Sequence, residues 1–179
     1  TQSRSSAASD VYKRQAHDSA NHEKKLVGEK LLDYKLDGVR VLAIYDADSD
    51  SVTMYSRNGK QFINFGHIEK EIVDTLASKF TESMVLDGEM VSSSFQALMK
   101  QVHRKDNVEA TDAKFALFDV LTLKEFKEGT SKLGCWERHK QLETLLADTK
   151  PLYSNIFLVD KVECNFDTNK RKKIFKDYN

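Results

Sequence analysis

The sequence predicts an α+β fold. Strand-like segments rich in branched and aromatic residues crowd the first half and are broken by Asp-Gly and Asn-Gly turns. Segments with apolar residues three and four apart, the spacing of a helix face, mix with strands later. The composition allows a packed domain. The chain has 179 residues, with seven glycines and one proline. That is well below the average Gly plus Pro usage of about 12%, which excludes collagen-like and low-complexity classes. No internal repeat is visible.

The elements follow in order. Thr1–Asp10 holds four serines, two alanines and no large apolar residue. Residues 1–25 are therefore read as a disordered or non-native N-terminal segment, and the globular part as 26–179. Lys30–Lys35 and Val39–Asp46 read as strands about a tight Asp37-Gly38 turn, with Val39, Val41, Leu42 and Ile44 apolar. Asp46-Ala47-Asp48-Ser49-Asp50 is a polar hairpin loop, Ser51–Arg57 the returning strand, and Asn58-Gly59 a turn. Ile68, Ile72, Leu76 and Phe80 mark a helix over 66–80. Ser83–Val91 is a strand interrupted by Asp87-Gly88. Phe95, Leu98, Met99 and Val102 mark a helix over 94–104. Lys114–Leu121 is a buried strand, 134–148 a helix carrying Leu142, Leu145 and Leu146, and Asn155–Val162 a strand. Asp167 caps a final helix with Ile174, Phe175 and Tyr178.

Charge and cysteine usage exclude several classes. Lys plus Arg equals Asp plus Glu at 28 each, for zero formal net charge, so any nucleic-acid contact needs a local basic patch. The longest apolar runs, Val41–Tyr45 and Ile156–Val159, fall far short of the roughly 18 residues of a membrane span. Two cysteines, Cys135 and Cys164, make neither a disulfide framework nor a four-thiolate zinc site. The expectation is a soluble, intracellular, reduced protein with no membrane partner.

The chemistry-bearing residues begin at Lys35-Leu36-Asp37-Gly38-Val39-Arg40. A lysine amine is a nucleophile only when deprotonated; its free pKa is about 10.4, so a nearby cation or desolvation must lower it. Asp37 is close enough to orient the amine, and Arg40 can hold a phosphate or ribose. Taken alone, this segment also reads as a surface Lys–Asp pair at a hairpin. Three further segments follow: Ser56-Arg57-Asn58-Gly59, Leu86-Asp87-Gly88-Glu89 and Phe115-Ala116-Leu117-Phe118-Asp119-Val120-Leu121.

Four motifs in this order, each on a strand or its turn, resemble the covalent nucleotidyltransferase superfamily of ATP-dependent DNA ligases, RNA ligases and mRNA capping enzymes. The closest resemblance is to ATP-dependent DNA ligases of the bacteriophage type, over residues 26–179 as a partial adenylation domain. The resemblance implies antiparallel sheets flanked by helices. It implies that Lys35 attacks the α-phosphate of ATP to form lysyl-AMP and expel pyrophosphate, with Asp37 beside it. It places Arg40 and Arg57 on ribose and phosphate. Glu89 falls on the ribose and a metal, Phe118 on the adenine face, and Asp33 at the adenine edge, with a shorter side chain than the usual Glu. Asp119 supports the metal shell or caps its strand. ATP and Mg²⁺ are the implied cofactors, and nicked double-stranded DNA the implied partner of a monomer. Mg²⁺ and arginines would stabilise charge on the transferring phosphate. AMP would then pass to a DNA 5′-phosphate, which a 3′-hydroxyl attacks.

Two later motifs of the family, a Glu-Gly motif ending in Lys and a Lys-x-Lys motif, are not found. Glu128-Gly129-Thr130-Ser131-Lys132 is read as a decoy, with its lysine one residue early. The expectation is a domain incomplete at its C-terminus, which self-adenylates poorly and seals no nicks alone. An RNA ligase, a capping guanylyltransferase and an inactive nucleotide- or DNA-binding fragment stay open as alternatives. Lys100, His103, Arg104 and Lys105, and the run Lys170–Lys173, read first as solvated faces and second as phosphate patches. Trp136 reads as packing, and Cys135 with His139 as an i,i+4 pair without metal partners.

Overall fold

A computed structural model describes residues 28–102, 110–147 and 154–166. The chain divides into two compact units, with boundaries between Tyr34 and Lys35 and between Val159 and Asp160.

The larger unit is built on a five-stranded sheet. Its strands are β2 (Val39–Asp46), β3 (Ser51–Ser56), β4 (Met84–Val91), β5 (Lys114–Thr122) and β6 (Ile156–Leu158), in the order β3-β2-β4-β5-β6. All neighbours are antiparallel except β5 and β6, which run parallel. A parallel pair needs a long crossover. Residues 123–155 supply it, carrying α3 (Leu123–Glu128) and α4 (Cys135–Leu146). Two further helices, α1 (Gly66–Leu76) and α2 (Phe95–Val102), precede β4 and β5. A single 3₁₀ turn, Ala77–Lys79, continues α1.

Strand alternation separates two faces of this sheet. Val41, Ala43 and Tyr45 of β2, Leu86 and Met90 of β4, and Phe115, Leu117 and Val120 of β5 share one buried cluster with Ile68, Ile72 and Leu76 of α1, Leu98 of α2 and Leu142 of α4. The four-residue spacing in α1 puts its three apolar residues on one stripe. Each is fully buried and contributes about 2 kcal/mol. On the opposite face, Val85, Leu121 and Phe126 of α3 form a smaller cluster with Leu42, Ile44 and Leu123.

The smaller unit contains, among its described residues, a two-stranded antiparallel ladder of β1 (Gly28–Asp33) and β7 (Lys161–Phe166).

Three readings of the sequence need correction. Asp37-Gly38 bends the chain but joins no hairpin, because β1 pairs with β7 and β2 pairs with β3 and β4. Gly38 is required for another reason: a Cβ there would lie 2.2 Å from the Met90 carbonyl oxygen. The expected strand Asn155–Val162 is two strands, β6 and β7, broken at Val159-Asp160 and placed in different units. Helix α3 went unread; it is only six residues long, too short for periodicity. Its start is nevertheless written locally, as a Thr122/Glu125 capping box in which each side chain accepts the other residue's backbone N–H. The final helix from Asp167, the segment 1–25 and residues 103–104 of the 94–104 helix lie outside the described residues.

Candidate functional site

The second sheet face carries Arg40, Asp87, Glu89 and Asp119. Arg40 lies opposite Glu89 across β2 and β4, and Asp87 lies one alternation further along β4, opposite Leu42. Arg40 reaches diagonally to Asp87: Nε donates to Oδ1 at 2.9 Å and Nη2 to Oδ2 at 2.6 Å. Asp87 is only 1% exposed, so this bidentate pairing compensates a buried charge. The Arg40 guanidinium also stands 6.0 Å from the centre of the Phe118 ring.

Asp119 joins Phe118 on this face through an irregularity in β5. The register steps from Gly88↔Leu117 to Asp87↔Asp119, so Phe118 is the extra residue of a β-bulge. In regular alternation Asp119 would follow Leu117 into the core. The bulge turns Asp119 to the side of Asp87 and returns Val120 to the core. Asp119, 1% exposed, is held as Asp87 is: Arg138 Nε donates to Oδ1 at 2.8 Å and Nη2 to Oδ2 at 2.9 Å. Arg138 Nη1 donates to the Leu133 carbonyl at 2.6 Å. Gly88 is small because a Cβ would lie 2.5 Å from the Ala116 carbonyl oxygen.

Glu89 has a different environment. Its carboxyl sits above its ordinary pKa of 4.5, first because burial penalises the charge. The Arg40 guanidinium pulls it down, the Asp87 carboxylate pushes it up, and the Gly38 N–H and the Lys35 charge pull it down again. Gly38 packs directly against the Glu89 side chain. Lys35 and Asp37 are exposed, on the irregular segment that leads into β2. Arg57 is exposed at the turn closing β3, where Gly59 has φ +75° and donates its N–H to the Ser56 carbonyl at 2.9 Å.

Asp33 belongs to the smaller unit, where its Oδ2 accepts from Lys161 Nζ at 2.9 Å. Glu128-Gly129 is a helix end: Gly129 closes α3 in the left-handed region at φ 70°, and Ser131 donates to Glu125. Trp136 stacks on His139 at 5.5 Å and lies under Lys140 Nζ at 4.6 Å, a packing role. Lys100 is exposed on α2, while His103, Arg104, Lys105 and Lys170–Lys173 lie outside the described residues. Sequence reasoning missed Arg138 and Lys161, whose carboxylate partners are 19 and 128 residues away. Among the described residues no three His, Cys, Asp or Glu cluster to hold a metal, and no helix is long and apolar enough to cross a membrane.

The chain resembles known proteins throughout its length. Residues 14–177 match the family described as the ATP dependent DNA ligase domain. The solved structures named Pmar-Lig_Pre and Pmar-Lig_PreS3 are each 43% identical, with a TM-score of 0.82, over 92% of this chain and 38% of theirs. The ATP-dependent DNA ligase from bacteriophage T7 in complex with ATP shares the fold at 17% identity and a TM-score of 0.57, over 97% of this chain and 56% of that one. No curated protein matches. The chain thus spans well under half the length of its 43%-identical relatives. With a family match over nearly all its residues and the same fold in the solved ligases, this chain belongs to the ATP-dependent DNA ligase domain family, as part of the adenylation domain.

Proposed function

We propose that this sheet face performs the first step of DNA ligation, transfer of AMP from ATP to Lys35, within a ligase that seals nicks in duplex DNA. The observation that carries the reading is the juxtaposition of Gly38, three residues after Lys35, with Arg40 and Glu89 where β2 begins opposite β4, and of Phe118 beside Arg40. The deprotonated Lys35 Nζ attacks the α-phosphorus. A P–N bond forms as the P–O bond to pyrophosphate breaks, and the displaced amine proton passes to solvent. Asp37 orients the amine, Arg40 and Arg57 hold ribose and phosphate, and Phe118 stacks on adenine.

The carboxylates divide by availability for Mg²⁺. That ion takes one or two carboxylates and completes its shell with phosphate oxygens and water. Glu89 fits such a donor, whereas Asp87 and Asp119 have both oxygens held by arginines. Bound there, Mg²⁺ would neutralise charge on the phosphates.

The test is intact mass after incubation with Mg²⁺ and, separately, ATP, GTP or NAD. The expected result is a gain of one AMP from ATP that Lys35→Ala abolishes. A gain from GTP alone would establish a capping-type enzyme instead, and no gain from any nucleotide would overturn the reading. Nicked DNA is tested as the acceptor by passage of labelled AMP from the adduct to the 5′-phosphate at a nick.

A further inference from the structure

Asp119 and Arg138 form a bidentate ion pair at the β5 bulge. Both Asp119 oxygens accept from Arg138, and the third guanidinium nitrogen donates to Leu133. Asp119 Oδ1 also accepts the backbone N–H of Val120 at 3.0 Å, just after the bulged residue. A bulge interrupts the ladder and strands backbone groups, and a buried N–H left without an acceptor costs free energy. Here the acceptor is the side chain of Asp119, which Arg138 of α4 holds in place. The bulge is what lets Phe118 and Asp119 follow one another on the site side of β5 while Leu117 and Val120 keep the core.

We propose that Arg138 and Asp119 are positioning residues: their ion pair locks the β5 bulge and thereby sets the place of Phe118 beside Arg40, and so the affinity for the nucleotide base. The part concerning the base rests on the nucleotidyl-transfer reading above; the lock itself does not. Arg138 grips both oxygens of Asp119, and Asp119 accepts the Val120 N–H beside the bulged residue, so the pair bears directly on the bulge. A lysine at 138 supplies one bond at a time and cannot reproduce the fork.

Two measurements on the chain test this, with Arg138→Met and Asp119→Asn as probes and Leu142→Ala as control. Leu142 is fully buried on the same helix, so its truncation loosens α4 without touching the ion pair. The first measurement is amide hydrogen exchange. Both probe variants should speed exchange within Phe115–Leu121, centred on Val120, whereas Leu142→Ala should leave those amides slower than in the probes. The second is the ATP dependence of adduct formation on Lys35. The probes should raise the KM for ATP about tenfold, the order of one stacked base, with the final labelled fraction within about twofold of wild type. A merely structural defect would lower the labelled fraction and leave KM unchanged, as expected for Leu142→Ala. Phe118→Leu combined with Arg138→Met should raise KM no further than the larger single effect. Unchanged exchange at β5, or an unchanged KM with only a reduced fraction, overturns the proposal. If wild-type Lys35 takes no AMP, the transfer reading falls, and the exchange measurement alone decides whether the lock exists.

Discussion

At the residue scale, the sheet holds two buried carboxylates directly opposite one another, Asp87 and Asp119, each gripped by its own arginine. Opposed like charges on neighbouring strands destabilise a sheet, and a buried carboxylate without a partner is worse. The arrangement therefore stands only with both arginines present. Arg40→Ala should lower unfolding free energy by about 3–5 kcal/mol in urea titrations, because it removes the bidentate cation from a buried carboxylate. Adding Asp87→Leu should recover much of that loss. Glu89 gives a pH-dependent prediction. Its folded value is raised by burial, so its contribution to stability is full below the unfolded value and is lost as pH rises through the raised one. Glu89→Gln does not titrate. It should be more stable than wild type at pH 8, and the difference should shrink as pH falls through the weakly acidic range. Thermal melts across pH check this; a constant difference would contradict it.

At the scale of elements, small residues mark where strands come close. Gly88→Ala would put a methyl 2.5 Å from the Ala116 carbonyl, a backbone atom that cannot rotate away. The expected cost is about 1–3 kcal/mol by chemical denaturation, with an unchanged m-value if only β4 and β5 are pushed apart. The helices show what was readable. α1 and α4 stood out because their apolar spacing is helical and they run to 11 and 12 residues. α3 was missed because six residues hold too few repeats, although Thr122 and Glu125 spelled its cap. The Asp37-Gly38 turn was misread because a bend that ends a strand and a bend that joins two paired strands have the same local chemistry.

At the scale of the whole chain, the described strands of the two units differ in burial: most residues of β4 are buried, whereas most described residues of β1 and β7 are exposed. The five-stranded sheet has a continuous apolar cluster, whereas the described residues of β1 and β7 form a two-stranded ladder with Cys164 and Lys161 as its buried members. Amides of β1 and β7 should therefore exchange faster than those of β4 by about an order of magnitude or more, as read by hydrogen exchange at neutral pH.

The sequence by itself determined the identity and order of the motif residues Lys35, Arg40, Arg57, Glu89 and Phe118, and through them the family. Those residues lie on short segments whose spacing is local, so a linear reading finds them. It also determined the α+β class, since strand and helix periods are properties of a few consecutive residues. Beyond the β2–β3 hairpin, tertiary structure decided which strand pairs with which, because pairing between distant segments depends on the apolar area they bury together and not on any local turn. It decided that Asp33 lies across the ladder from Lys161 and that Arg138 holds Asp119. Such ion pairs form between residues far apart in the chain, where no spacing rule reaches. The β5 bulge belongs to the same class: one residue more than its partner strand shows only when β4 is laid beside it.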